Sequence, residues 1–338
     1  MQTTFAGLKL GSDEFAAEIA KSLAEVEALL LRELSSGESF LTEAATHLAR
    51  AGGKRFRPMF ALLASHFGPH AESPDVVTSA TVVELIHLAT LYHDDVMDEA
   101  QMRRGAASAN ARWSNSVAIL AGDFLFAKAS GLVSTLGPES VRIVSDTFAE
   151  LVTGQMRETV GAQGSADPVD HYLRVVWEKT GSLIAAAGRF GARTSGVDAD
   201  DTERLSRLGD IIGTAFQISD DIIDIRSVAD DSGKTPGTDL REGVHTLPVL
   251  YALRESGAAA DRLREVLLTA DGTAVALDDD DLVAEALELL VRSPGMTQAL
   301  ATLQELADQA TAVLSELPQG AANTAMASLV RYTIDRVG

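Results

Sequence analysis

Apolar residues return every three or four positions along most of this sequence, as at Phe15, Ile19, Leu23, Val26 and Leu30. That rhythm lays one apolar stripe along a helix. Runs that alternate apolar and polar residues between tight turns are scarce, which leaves little from which to build a sheet. Helix breakers stand where such helices would have to end, at Gly52-Gly53, Gly68-Pro69, Ser73-Pro74, Gly137-Pro138, Asp167-Pro168, Gly196, Gly257 and Ser293-Pro294. Ser12 or Asp13 supplies the side-chain oxygen that starts the first helix. The pattern predicts roughly a dozen helices and an all-α fold. A length of 338 residues would allow two domains at the usual ~150 residues each. No Pro/Ser-rich or charged linker divides the chain, so residues 1–338 are expected to form a single domain, one large helical bundle.

Composition limits the partners. The chain carries 49 Asp+Glu against 28 Lys+Arg, a net charge of −21, and so repels nucleic-acid backbones and anionic membrane surfaces. Nucleic acid is excluded as a partner, and an anionic ligand needs a locally basic pocket or a metal ion. The absence of cysteine excludes disulfides, thiolate zinc sites and cysteine nucleophiles. Residues 1–10 lack the basic start and apolar core of a secretory signal. Asp123 and Lys128 interrupt the apolar run from Val117 to Val133, so no transmembrane segment is expected and the protein is read as cytoplasmic. The acidic run Asp278 to Asp281 reads as a solvated loop or helix start.

One short pattern occurs twice. Asp94-Asp95-Val96-Met97-Asp98 and Asp220-Asp221-Ile222-Ile223-Asp224 are both DDxxD, each after apolar helical sequence. Positions i and i+4 lie about one turn apart, so the outer carboxylates of each copy share a helix face. Burying so much negative charge unaided is prohibitive. All-oxygen donors without thiols suit Mg²⁺, which is typically held by one or two carboxylates together with substrate phosphates. A phosphorylated substrate follows from that preference.

The scarce bases are not scattered evenly. Arg50, Lys54, Arg55 and Arg57 crowd around Gly52-Gly53, and Arg103-Arg104 follow the first DDxxD. A Gly pair followed by three cations in four residues reads as a loop where backbone and guanidinium groups approach a phosphate closely. His87 stands two turns before Asp94 on the same side of its helix.

Together these residues resemble the trans-isoprenyl (all-E) polyprenyl diphosphate synthases. The resemblance runs from Gly52 to about Leu250, through Gly52-Gly53-Lys54-Arg55-Phe56-Arg57-Pro58, His93-Asp94-Asp95-Val96-Met97-Asp98, Arg103-Arg104-Gly105, Lys179-Thr180 and Phe216-Gln217. It continues through Asp220-Asp221-Ile222-Ile223-Asp224, Gly233-Lys234, Asp239-Leu240 and Thr246-Leu247-Pro248. It implies the isoprenoid synthase type I fold and a Mg²⁺-dependent head-to-tail condensation of isopentenyl diphosphate onto an allylic diphosphate, farnesyl or geranylgeranyl diphosphate. Three Mg²⁺ ions would bridge the allylic diphosphate to Asp94, Asp98 and Asp220, with Asp95, Asp221 and Asp224 as ligands or their support. Arg103, Lys179 and Lys234 would hold the same diphosphate. Lys54, Arg57, His87 and Arg104 would bind isopentenyl diphosphate, and Thr180 and Gln217 would face the reacting carbons. The family resemblance also implies a homodimer.

The residue types suit that chemistry. Breaking an allylic carbon–oxygen bond leaves a carbocation and a diphosphate, so cations must meet the charge developing on oxygen. Water must be kept from the carbocation, and the stretch Ser232 to Thr238 reads as a lid over it. Where the family often has Lys after Glu-Gly, this chain has Val244-His245 after Glu242-Gly243, which leaves open whether His245 replaces that cation. Ala89 and Thr90, five and four residues before Asp94, are small where short-chain synthases resemble a large aromatic plug. A long-chain product of six to nine isoprene units, of the kind used for a quinone side chain, is therefore expected. The alternatives are a geranylgeranyl diphosphate synthase, a terpene cyclase and a non-catalytic partner subunit. A cyclase has no need of the Lys54/Arg57 site, and a non-catalytic subunit should have lost aspartates that this chain retains.

Overall fold

Ser12 caps the first helix, Asp13–Leu34, accepting a hydrogen bond from the Phe15 amide at 3.2 Å. Asp13 is the first helical residue instead, where its charge suits the helix dipole. The stripe read from the sequence faces inward: Phe15, Ile19, Leu23, Val26 and Leu30 are all buried. The computed structural model describes residues 4–5, 8–35, 37–162, 164, 166–226 and 236–337. Among these the chain forms sixteen α-helices, one five-residue π-helical turn and four two-residue strands. The strands make two antiparallel ribbons, Thr4–Phe5 with Leu8–Lys9 and Met102–Arg103 with Ala106–Ala107. The fold is all-α, as the periodicity predicts. Helices outnumber the expected dozen because short pieces such as Ala109–Arg112, Thr238–Glu242 and Leu247–Ala252 are too brief to carry an apolar period.

Contacts group the chain into two compact units. The first comprises Met1–Leu151, Ser182–Gly209 and Val313–Ser328. At its centre lies the Pro74–Met97 helix, packed against Asp13–Leu34, Phe56–Ser65, Asn115–Ser134 and Ser182–Ser195. Backbones come close in this unit: a Cβ on Gly191 would stand 1.9 Å from the Ala61 carbonyl oxygen, so only glycine lets the Phe56–Ser65 and Ser182–Ser195 helices meet. The second unit comprises Val152–Gly181, Asp210–Ala312 and Leu329–Gly338. Its core gathers Ile218, Ile222, Leu247, Val249, Leu267 and Leu290.

Two helices, Pro74–Met97 and Asn115–Ser134, are long and apolar enough by length and composition to cross a membrane. Asp123 and Lys128 lie within the second, which continues through them as one helix. The apolar window of the first is 67% buried within the structure, and the helix carries Glu84 and Asp95 on its buried surface. Ionised side chains so placed belong to a protein core rather than to lipid.

Candidate active site

The Pro74–Met97 helix starts at Pro74, the rigid first residue of a helix, and ends in the first aspartate cluster. Asp94 is half-buried, Asp95 is fully buried, and Asp98 is exposed at the position that caps the helix, its amide donating to the Asp94 carbonyl at 2.8 Å. Asp95 Oδ1 accepts from Arg103 Nε at 2.6 Å, while Oδ2 is buried without a hydrogen-bond partner among the described residues. Burial raises the Asp95 pKa, and Arg103 opposes that rise. Arg103 comes from the ribbon that follows the helix. Its two-residue turn, Arg104-Gly105, has positive φ at both positions, 54° and 75°, the geometry that twists a tight hairpin correctly.

That turn sends Arg104 back towards the glycine pair. Arg104 Nη1 donates to the Leu48 carbonyl at 3.1 Å and to the Gly52 carbonyl. The Arg104 guanidinium carbon packs 2.8 Å from where a Cβ on Gly53 would stand, and the φ of 138° at Gly53 itself favours glycine. Arg57 Nη1 lies 3.3 Å from His87 Nε2. His87 is one helical turn beyond buried Glu84, and its pKa is pushed well below the ordinary value by burial and then by Arg57 and Arg104. It is a neutral imidazole at pH 7, surrounded by guanidinium groups. Burial lowers Arg57 to about 10, with Glu84 opposing and Arg104 assisting. Lys54 is exposed beside them.

Arg55 has a different task. Its guanidinium grips Glu27 at 2.8 and 3.0 Å, Glu84 at 3.0 Å and the Ala49 carbonyl at 2.8 Å, which ties the glycine loop to two helices. Losing Arg55 strands a buried carboxylate, a loss worth about 3–5 kcal/mol. Arg55→Met is expected to lower the urea midpoint accordingly in equilibrium unfolding.

In the second unit a π-helical turn, Trp177–Gly181, interrupts the chain between two α-helices. Glu178, 2% exposed, anchors it through Arg157 at 2.8 Å and Arg174 at 2.9 Å. The turn presents Lys179, ion-paired to Glu158, and Thr180, whose hydroxyl donates to Gln217 Oε1 at 3.4 Å. Gln217 Nε2 donates in turn to Asp221 Oδ1 at 3.0 Å, and the Tyr172 hydroxyl donates to Asp221 Oδ2. Asp224 accepts from the amides of Thr238 and Asp239 at 3.2 and 3.1 Å, which fixes the start of the helix after the 227–235 stretch. Half-buried Asp220 is ion-paired to Arg336.

Burial lifts the Asp221 pKa from 3.8 to about 6, with Tyr172 and Gln217 pulling it down and Asp224 and Glu158 pushing it up. A folded-state value above the unfolded one means that the ionised carboxylate opposes folding. The favourable contribution is complete below pH 3.8 and is lost as pH rises through 6. Asp221→Asn should therefore raise the Tm of the metal-free protein at pH 7.5 by about 2–6 °C. By differential scanning calorimetry at pH 4.5, between the unfolded and folded values, the gain should fall to about a third.

The first unit thus brings together Arg57, His87 and Arg104, and separately Asp95 with Arg103. The second brings together Thr180, Gln217 and Asp221. Ala89 is 1% exposed, whereas Thr90 is half-buried on the face shared by His87 and Asp94. Lys234 and most of the expected Ser232–Thr238 lid lie outside the described residues. His245 is half-buried and lowered in pKa by burial, against a backbone hydrogen bond with Leu267, so it offers no positive charge at neutral pH. Asp279 caps the Asp280–Val291 helix, in keeping with the helix start read for that acidic run. Sequence reading passed over Tyr172, Glu84, Glu178 and Arg336, which touch the named residues only through the fold.

Among the described residues no three acidic or histidine side chains converge on one point to cage a metal by themselves. The donors nevertheless fit a hard divalent cation: the clusters offer carboxylate oxygens alone, and Asp95 Oδ2 is buried with no other partner. Mg²⁺ takes one or two such carboxylates and completes its shell with water and phosphate.

The polyprenyl synthetase family profile matches residues 38–290. This chain belongs to that family. It is 56% identical over 336 residues, 99% of this chain and 98% of the relative, to nonaprenyl diphosphate synthase of Mycobacterium tuberculosis. With dimethylallyltranstransferase of the same organism it shares 44% identity over 97% of this chain and 98% of that one. The crystal structure of geranylgeranyl pyrophosphate synthase from Corynebacterium glutamicum, complexed with calcium and isoprenyl diphosphate, superposes with a TM-score of 0.87 at 52% identity, covering 97% of this chain and 99% of that chain. The chain has the isoprenoid synthase fold and is a prenyltransferase, and the family uses isoprenoid diphosphate substrates.

Proposed function

We propose that this prenyltransferase is a Mg²⁺-dependent, long-chain trans-polyprenyl diphosphate synthase that adds isopentenyl diphosphate head to tail to farnesyl or geranylgeranyl diphosphate. The observation that carries this reading is the layout of one helix: Asp94, Asp95 and Asp98 at the end of Pro74–Met97, with Arg57, His87 and Arg104 gathered two turns back around the glycine pair. Carboxylates for a metal-borne diphosphate and cations for a second diphosphate are what a two-substrate condensation needs, whereas a cyclase needs only the first.

In this proposal Arg57, Arg104, Lys54 and neutral His87 bind isopentenyl diphosphate and hold its double bond for attack. Lys179, Arg103 and Lys234 meet the charge that develops on the allylic diphosphate as its carbon–oxygen bond breaks. Asp94, Asp98 and Asp220, with Asp95, Asp221 and Asp224 in support, would hold Mg²⁺, three ions with substrate bound, which would supply electrostatic stabilisation of the leaving group. Thr180 and Gln217, joined by a hydrogen bond, line the path of the reacting carbons. No side chain is assigned as base, and the departing diphosphate takes the proton.

The further parts of the proposal rest on narrower support. The chain acts as a single domain, since the profile match at 38–290 draws on both units and their boundaries at residues 151/152 and 209/210 fall inside helices. It works as a homodimer, for which the exposed Ile119, Leu120 and Val141 are candidates for contact. A cytoplasmic location suits the polar residues buried along Pro74–Met97. Small residues at 89 and 90 favour a product of six to nine units for a quinone side chain.

Incubation of the purified protein with Mg²⁺, labelled isopentenyl diphosphate and dimethylallyl, geranyl, farnesyl or geranylgeranyl diphosphate tests the reading. Long all-trans products from the last two primers are expected. Incorporation that stops at four units would move the assignment to a geranylgeranyl diphosphate synthase, cyclic hydrocarbon would point to a cyclase, and no incorporation would overturn it.

A further inference from the structure

Arg336 lies one residue past the Ala321–Asp335 helix and outside the stretch matched by the family profile. An arginine so near a chain end is ordinarily solvated. This one has a side chain only 11% exposed. Its guanidinium carbon sits 4.4 Å over the Phe216 ring and 5.8 Å from that of Tyr332, an arrangement that binds a cation to aromatic faces. The position is held on both sides. The Arg336 amide donates to the Tyr332 carbonyl at 3.3 Å, and the neighbouring Val337 is buried in the core, its carbonyl accepting from Arg226 Nη1 at 2.5 Å. Nη2 is ion-paired to Asp220 Oδ1. Nη1, by contrast, is buried and has no hydrogen-bond partner among the described residues.

A charged donor enclosed without an acceptor is costly, and the fold spends packing and a backbone clamp to keep it there. Asp220 is 34% exposed on its side chain, so the carboxylate end of the pair is open to solvent while Nη1 lies enclosed behind it. We propose that Arg336 is a further substrate-binding residue: Nη1 takes an oxygen of the diphosphate carried at the second aspartate cluster, while Nη2 keeps the Asp220 carboxylate oriented for the cation. This deepens the synthase reading and rests on it. It also gives the last residues of the chain a role in binding that the DDxxD motifs do not reveal.

Isothermal titration calorimetry of the full-length protein with inorganic diphosphate, in excess Mg²⁺, separates the two claims. Wild-type protein that fails to bind inorganic diphosphate would sink the synthase reading itself. With wild-type binding in hand, Arg336→Gln is expected to weaken affinity by about tenfold to a hundredfold, and Arg336→Lys, which keeps the charge, to recover part of the loss. Far-UV circular dichroism and Tm report folding of each variant. A folded Arg336→Gln protein that binds inorganic diphosphate within twofold of wild type would overturn the proposal. So would an Arg336→Lys protein that keeps its Tm yet binds no better than Arg336→Gln, since charge at this position would then contribute nothing to binding.

Discussion

Asp94→Ala and Asp220→Ala are each expected to lower kcat/KM for isopentenyl diphosphate incorporation by about three orders of magnitude or more, with circular dichroism unchanged. The reason lies in the position of each carboxylate. Both are half-buried, so each is reachable by a metal-borne diphosphate; Asp220→Ala also takes the ion-pair partner from buried Arg336 and should lose some stability, whereas Asp94→Ala should not. Asp95 makes the contrast. It is fully buried and holds Arg103 at 2.6 Å, so Asp95→Ala should lose stability as well as activity, because it leaves a cavity beneath the helix and removes the ion pair that fixes the ribbon. Steady-state assays beside urea denaturation distinguish the two classes. Full activity in either Asp94→Ala or Asp220→Ala would refute the metal-site assignment.

Product length is where the second large effect is expected. Thr90→Phe should shorten the product to three or four isoprene units, read by chromatography of the dephosphorylated alcohols. Ala89→Phe is expected to shorten it as well, but at a cost of about 1–3 kcal/mol from overpacking, because Ala89 is 1% exposed. Thr90 is half-buried on the face it shares with His87 and Asp94, so a ring there meets less packing than at Ala89 and gives up the hydroxyl bond to the His87 carbonyl. Unchanged product distributions in both variants would remove these positions from the account of chain length. The relatives sharpen the question, since this chain resembles both a nonaprenyl and a geranylgeranyl synthase at more than 50% identity.

Much of the site was legible before any coordinates. The two DDxxD motifs, the Gly-Gly loop with its cations and Lys179-Thr180 are local patterns whose chemistry follows from residue type and helical spacing. Arg55 was not legible as a separate case. In sequence it is one of three cations in four residues, and only the fold shows that Glu27, Glu84 and the Ala49 carbonyl claim it. Glu178 and Tyr172 escaped for the same reason, since a buried glutamate between two arginines or a tyrosine hydroxyl on an aspartate depends on contacts made across many residues.

By itself the sequence determined the helical class, the position of the first cap, the inward stripe of the first helix and the set of oxygen and cation donors, because these depend on periodicity and side-chain chemistry within a turn or two. Tertiary structure alone decided which charges are shared and which are spoken for: Arg104 threaded against Gly53, His87 kept neutral among arginines, Asp221 raised to about 6, and Arg336 brought from the far end of the chain to Asp220. Those outcomes turn on burial and on pairing between distant residues, and burial is a property of the packed chain.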